Sequence, residues 1–392
     1  MTEITSTPFQ IARSLQPFGV TIFTEISRLA AKHNAVNLGQ GFPNFDGPDF
    51  VKQAAIDAIK AGHGQYARMF GIPELNRAIA DRFAQDTGIS VDPETEITVT
   101  SGCTEAIAAS LLGLCNPGDE VVLFEPYYDS YRACVAMAGA TAKFVTLRPP
   151  DFAVTESALR QAFSDRTRVV LVNTPHNPTG KVFSRAELEL IARFAREHDA
   201  IVLSDEVYER LVFDDEHISM ATLPSMRERT VTLSSLGKTF SLTGWKIGWA
   251  ITTPELTKGV RAAHQFLTFA TATPLQHGAI AAIKAPESYY TNFLAEYRAK
   301  RDLLMDGLSR IGFKVYPPKG TYFVVADFTP VGRGFDTDAA FCKHLIEEVG
   351  VAAIPCSVFY HRPEDGHKLV RFAFCKTEET LREGLKRMGR LG

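Results

Sequence analysis

From Glu96 to Thr252 the chain alternates short runs that are apolar at nearly every residue with stretches whose apolar residues recur at helical spacing. The runs are "EITVTSG", "EVVLFEP", "RVVLVNTP", "AIVLSDEVY", "TVTLSSL" and "KIGWAIT"; between them lie segments such as the helical "TEAIAASLLGL" and the turn "NPGD". A strand that shows no polar face is covered on both sides, so this pattern predicts an α/β unit with a mainly parallel sheet between helices. Ser184 followed three residues later by Glu187 predicts a capping box at the start of a helix over Arg185–His198.

The pattern changes after Pro286. Apolar residues at 290, 293, 294, 297, 304, 308 and 311 predict one long amphipathic helix closed by Gly312. Beyond it come a strand in "KGTYFVVADF", a helix near "DAAFCKHLIEEVG", strands near "VAAIP" and "KLVRFAFC", and a terminal helix in "EETLREGLKRMGRL". Together these predict a smaller α+β unit. The chain divides on this reading into a large domain over 33–285 and a small domain made of 1–32 with 286–392. At 392 residues the chain exceeds the size at which a single core usually keeps growing, which also favours two domains.

Composition narrows the function classes. With 45% apolar and 22% charged residues the chain reads as an ordinary globular protein, and a net charge of −3 offers no electrostatic attraction to nucleic acid or an anionic membrane. "MTEITSTPFQ" lacks a basic region followed by an apolar block and does not read as a signal peptide; no apolar run approaches a membrane span. The six cysteines form no C-x-x-C pair and no disulfide framework, so reduced thiols and a cytoplasmic location are expected. His361 and His367 in "HRPEDGH" lack metal-ligand spacing and read as loop histidines; no metal is expected.

Gly237-Lys238-Thr239 resembles the tail of a phosphate-binding loop, but the glycine required five residues earlier is replaced by Thr232. "GQGFPNFDG" begins like a dinucleotide fingerprint, yet Asn44 stands where the third glycine belongs. The remaining reading makes Lys238 a nucleophile, whose amine can attach covalently to pyridoxal phosphate. Such a site also needs an acid for the ring nitrogen, donors to the ring oxygen, a surface for the ring, an anion cradle and a cation for the substrate carboxylate.

"NTPHNPTG" (173–180), "SDEVY" (204–208), "SSLGKTFSLTGWKIGW" (234–249) and "LVRFAF" (369–374) occur in the order and at spacings that resemble the fold type I, class I/II pyridoxal-phosphate aminotransferases. "TIFTEIS", "VNLGQGFPNFDGP", "GQYARMFG" and "SGCTEAI" are similar to the kynurenine, glutamine and methionine aminotransferase branch. The resemblance implies a seven-stranded, mainly parallel sheet in the large domain, a homodimer with shared active sites, and pyridoxal phosphate as cofactor. Lys238 would hold the cofactor and carry the proton of substrate Cα, and Asp205 would keep the ring nitrogen protonated. Tyr208 and Asn177 would donate to the ring oxygen, while Asn173 would touch either substrate or only the backbone.

The amides of Cys103 and Thr104, at a helix start, would cradle the phosphate with Ser235 and Lys246. Tyr66 would reach that phosphate from the neighbouring subunit. Tyr128 would stack on the ring, with Tyr127 as the substitute if the motif is displaced by one residue. Arg371 would grip the substrate carboxylate, aided by Asn177 and the Gly39 amide, and Phe18, Phe23 and Phe269 are candidates for an apolar wall, Phe269 with the best positional support.

The implied activity moves the amino group of an apolar, aromatic or uncharged L-amino acid of the methionine, kynurenine, glutamine or phenylalanine type to a 2-oxo acid. Alternatives are a cysteine-conjugate carbon–sulfur β-lyase, an aspartate or N-succinyldiaminopimelate-type aminotransferase, and a cofactor-binding regulator without catalysis. No additional basic residue is placed by the sequence to pair a second carboxylate, which weighs against an acidic substrate.

Overall fold

A computed structural model describes residues 11–391. The stretch read as unlike a signal peptide, and residues 1–10 of the small-domain assignment, lie outside the described residues. Seven strands form the main sheet: β1 (Ile97–Thr100), β2 (Glu120–Glu125), β3 (Thr141–Thr146), β4 (Thr167–Asn173), β5 (Ile201–Asp205), β6 (Thr230–Ser235) and β7 (Gly248–Ile251). Their order is β1-β7-β6-β5-β4-β2-β3, parallel throughout except where β7 runs antiparallel to both neighbours.

The absence of a polar face along these runs is explained by two cores. Val121, Leu123, Val169, Leu171, Ile201 and Leu203 pack to one side, while Val122, Phe124, Val170, Val172 and Val202 pack to the other. Successive side chains of a strand point to opposite faces, so the central strands are covered by a helix layer on both sides; the edge strand β3 stays partly exposed, with Thr141 on the surface. One helix of the second layer, Arg185–Glu197, begins with the anticipated capping box between Ser184 and Glu187.

The long helix spans Glu287–Ile311 and stops at Gly312, whose φ of 111° is the left-handed cap that a side chain would resist. It leads to a four-stranded antiparallel sheet of β8 (Lys314–Tyr316), β9 (Phe323–Asp327), β10 (Ile354–Pro355) and β11 (Leu369–Ala373), in the order β10-β11-β9-β8. The helix expected near "DAAFCKHLIEEVG" is regular only over Asp338–His344; Leu345–Val349 widens into a π turn ended by Gly350. Near the amino terminus, helix Ile22–Lys32 buries Ile26 and Ala30 in the same core as Ala352 and Ile354. Val36–Asn37 then pairs in parallel with Val351–Ala352, and the Leu38 carbonyl accepts from the Ala373 amide, which brings Gly39 against β11.

Candidate active site

In an open α/β sheet the carboxyl ends of parallel strands leave a crevice that neighbouring loops complete. Here Asn173 ends β4, Asp205 ends β5 and Ser235 ends β6, with Asn173 paired to Asp205 and Ser235 to Gly248. The crevice is a cavity of about 230 Å³ lined by Cys103, Thr104, Tyr128, Asn177, Asp205, Tyr208, Ser235, Lys238 and Lys246. The structure thus brings together most of the residues expected to hold cofactor.

Lys238 sits on the short helix Leu236–Thr239, its Nζ 5.6 Å from the Tyr208 ring centre and 5.8 Å from that of Tyr322. Loss of water at this position lowers the amine pKa below that of a free lysine, against the nearby Asp205 charge, which raises it. A less basic amine is a better nucleophile near neutrality.

Asp205 is 4% exposed and has no cationic ion-pair partner among the described residues. Its Oδ2 accepts from the Tyr131 hydroxyl at 2.6 Å, and its Oδ1 from the Val207 amide at 3.3 Å and the Cys103 thiol at 3.6 Å. Burial raises its pKa, and the Tyr131 hydrogen bond pulls in the opposite direction. Such a carboxylate is costly unless a cationic N–H meets it. Tyr131 was not foreseen, although it lies three residues after Tyr128 on a helical turn and lines the same cavity. Tyr131→Phe would remove a hydrogen bond that favours the ionised form of Asp205. The acid limb of kcat/KM should move to higher pH by about one unit, the worth of one hydrogen bond to a charge; a pH–rate profile of the variant checks this.

At the opposite end of the cavity positive potential converges. Helix Cys103–Leu114 points its free amides inward from Gly102, and Lys246 lies directly over that glycine. Lys246 makes no ion pair with a carboxylate among the described residues, so the helix end and the ammonium are both available to a phosphate. Close approach here depends on Gly248. A Cβ there would stand 2.5 Å from the Gly102 carbonyl carbon and 2.6 Å from the Cys103 nitrogen. Gly248→Ala should push the helix start outward, destabilise the protein by about 1–3 kcal/mol, and weaken cofactor binding in a fluorescence titration.

Arg371, on β11, is 1% exposed. Its Nη1 donates to Asn177 Oδ1 and its Nη2 to the Gly39 carbonyl, both at 3.0 Å, while its Nε has no partner. Its guanidinium carbon lies 4.0 Å from the Phe323 ring centre, 5.2 Å from Phe359 and 5.3 Å from Phe23. No carboxylate pairs with it among the described residues, so it is a desolvated planar fork in an aromatic setting. Because Asn177 accepts from Arg371 through its oxygen, its amide nitrogen remains a donor. Asn173 lines the cavity and makes backbone contacts, its Nδ2 donating to the Asp205 carbonyl and its Oδ1 accepting from the Asn177 amide.

Several expectations are placed differently. The Gly39 amide donates to Asn37 Oδ1 at 3.0 Å, so this residue meets Arg371 through its carbonyl rather than offering its N–H to a substrate. Tyr127 stacks in the core on Phe144, which leaves Tyr128 as the ring facing the cavity. Tyr66 and Phe269 do not line the cavity of their own chain. They contact each other edge to face at 5.3 Å and are 85% and 45% exposed. Phe18 lies by Arg132, with the guanidinium carbon 5.6 Å from its ring centre. Tyr322, which was not anticipated, donates to the Gly41 carbonyl at 2.7 Å and lies edge to face with Tyr208 at 5.2 Å.

The donor set therefore fits a ligand with a reactive aldehyde at Lys238, a basic nitrogen at Asp205 and a phosphate at the helix start. The family model for aminotransferase class I and II matches residues 33–388. A probable N-succinyldiaminopimelate aminotransferase of Mycobacterium tuberculosis is 47% identical, covering 95% of this chain and 96% of that protein. A methionine aminotransferase of Escherichia coli is 39% identical over 99% of this chain and 100% of its own. A solved structure of N-succinyldiaminopimelate aminotransferase from Mycobacterium tuberculosis superposes with a TM-score of 0.95, at 47% identity, over 98% of this chain and 100% of that one. With the cavity's charges arranged as that chemistry requires, the chain belongs to the class I and II aminotransferases and is a pyridoxal-phosphate-dependent enzyme.

Proposed function

We propose that the enzyme takes the amino group from an uncharged, apolar or aromatic L-amino acid and delivers it to a 2-oxo acid. The observation that carries this reading is Arg371: one buried fork without a carboxylate, surrounded by Phe23, Phe323 and Phe359. It supplies one carboxylate site and an apolar setting for what the substrate bears beside it.

Pyridoxal phosphate, when bound, supplies an aldehyde and an electron-withdrawing ring that stabilises negative charge at substrate Cα. The chain's own groups do the rest. Arg371 would orient the substrate carboxylate, and Lys238 Nζ would hold the cofactor and serve as the base and acid for the Cα proton. The Asp205 carboxylate would keep the ring nitrogen protonated, Asn177 Nδ2 and the Tyr208 hydroxyl would donate to the ring oxygen, and Tyr128 would cover the ring. The Cys103 and Thr104 amides, Ser235 and Lys246 would hold the phosphate. Tyr66 and Phe269, exposed together, would complete the site of a second copy in a homodimer, with Phe269 forming part of the apolar wall. No helix among the described residues is long and apolar enough to cross a membrane, and six buried free thiols suit a reducing cytoplasm.

A second reading follows from the 47% identical relative named for N-succinyldiaminopimelate. Its substrate carries a further carboxylate, and Arg132, beside Phe18 and without an ion-pair partner among the described residues, is a cation that could meet it. Mixing the holoenzyme with single amino acids and following loss of its cofactor absorbance separates the readings. Methionine, phenylalanine, kynurenine and glutamine should react faster than aspartate; fastest reaction with N-succinyl-L,L-diaminopimelate would favour the second. Pyruvate and ammonia from a cysteine conjugate would instead reveal β-elimination.

A further inference from the structure

A second cavity, of about 300 Å³, lies across the sheet from the Lys238 site. The strand alternation fixes its side. Asp205 pairs with Leu233, so Thr232 and Ser234 of β6 point to the other face. Buried strand faces are ordinarily branched and apolar, yet β6 presents Thr230, Thr232 and Ser234 there. Thr232 is 4% exposed, lines the cavity, and its Oγ1 has no hydrogen-bond partner. A buried hydroxyl in that state needs an explanation.

Four carboxylates line this cavity, Asp86, Glu206, Glu209 and Glu216, beside Arg82, Arg185 and Arg210. Asp86 is paired with both Arg82 and Arg210, and Glu206 and Glu209 are in different situations. Glu206 is fully engaged: Ser204, Ser219 and the Met220 amide donate to its Oε1, and His217 Nε2 meets its Oε2 at 2.9 Å. Glu209 is not. It accepts from the Ser234 hydroxyl at 3.2 Å and has no cation at ion-pair distance among the described residues, since Arg210 beside it is taken by Asp86. Burial raises its pKa to about 7. Ile79, Phe83, Trp249, Ile251 and Ile283 also line the cavity.

We propose that this cavity is a second ligand site that takes a small organic cation, its nitrogen head donating to Glu209 and to Thr232 Oγ1 and its apolar body lying against Phe83, Trp249 and Ile251. The match is chemical: a carboxyl without an ion-pair partner, an unpartnered hydroxyl oxygen, apolar side chains in the same lining, and room for a single-ring molecule. The site does not depend on the proposed amino-acid substrate. Ser235 lines both cavities, so an occupant would press on the cofactor cradle from behind.

Titrating benzamidine into the holoenzyme by calorimetry tests this. One benzamidine per chain is expected, with affinity at least about tenfold lower in Glu209→Gln, the loss of one charge-assisted hydrogen bond. Thr232→Val, nearly isosteric, should weaken binding in the same direction, so the result does not hang on one variant. Saturating the catalytic site with a 2-oxo acid should leave benzamidine bound. No binding to folded wild type, wild-type affinity in both variants, or displacement by the 2-oxo acid would overturn the proposal.

Discussion

Lys238→Ala is expected to abolish transamination, with kcat down by on the order of 10⁴-fold, while the protein stays folded. On the proposed mechanism its amine would both hold the cofactor and move the Cα proton. The stability of the variant provides an independent check. In the cofactor-free protein, burial depresses the Lys238 pKa below the ordinary lysine value. The unfolded chain then binds the proton more tightly, so the lysine costs stability below its folded pKa, and the cost is relieved as pH rises toward 10.5. Alanine removes that cost. The cofactor-free variant should therefore melt no lower than cofactor-free wild type at neutral pH, and the difference should shrink in alkaline buffer. A variant inactive because it is unfolded would show the opposite.

Arg371→Leu should lower kcat/KM for amino acid and 2-oxo acid alike by about 30- to 4,000-fold, the ~2–5 kcal/mol typical of a desolvated ion pair that loses one member. The effect should fall mainly on KM, because the carboxylate is held in ground and transition states alike. Arg371→Lys keeps a positive charge but loses the fork that reaches Asn177 and Gly39 together, and should recover only part of the loss. Stability should change little. Leucine forfeits two hydrogen bonds to a charged group, about 1.5–3 kcal/mol each, but also removes an unpaired buried ion whose desolvation costs several kcal/mol. Steady-state kinetics with both substrates, beside a melting curve, decide the matter.

The sheet was legible in the sequence because strands covered on both faces lose their polar alternation, and the long helix because its apolar period ends at a glycine. Lys238, Asp205, Asn177 and Arg371 were legible through motifs whose residues follow one another along the chain. What escaped depends on contacts between distant segments. Tyr322 arrives from the smaller sheet, 84 residues after Lys238, and no local pattern marks it. Gly248 looks like any strand glycine until the helix start is seen packed against it. The Gly39 amide could be misassigned because only the folded loop turns it toward Asn37. Tyr131 is the exception, since its helical spacing from Tyr128 was available and unused. The exposure of Tyr66 and Phe269 follows from packing in one chain, which motif order does not encode.

The central claim is that the Lys238 amine carries the cofactor while Asp205 faces the ring nitrogen. Borohydride reduction of the protein loaded with pyridoxal phosphate, followed by peptide mass mapping, tests the covalent half of it most directly. A single pyridoxyl label on the peptide containing Lys238 is the predicted result. No stable label, or a label on another lysine with Lys238 unmodified, would contradict the account.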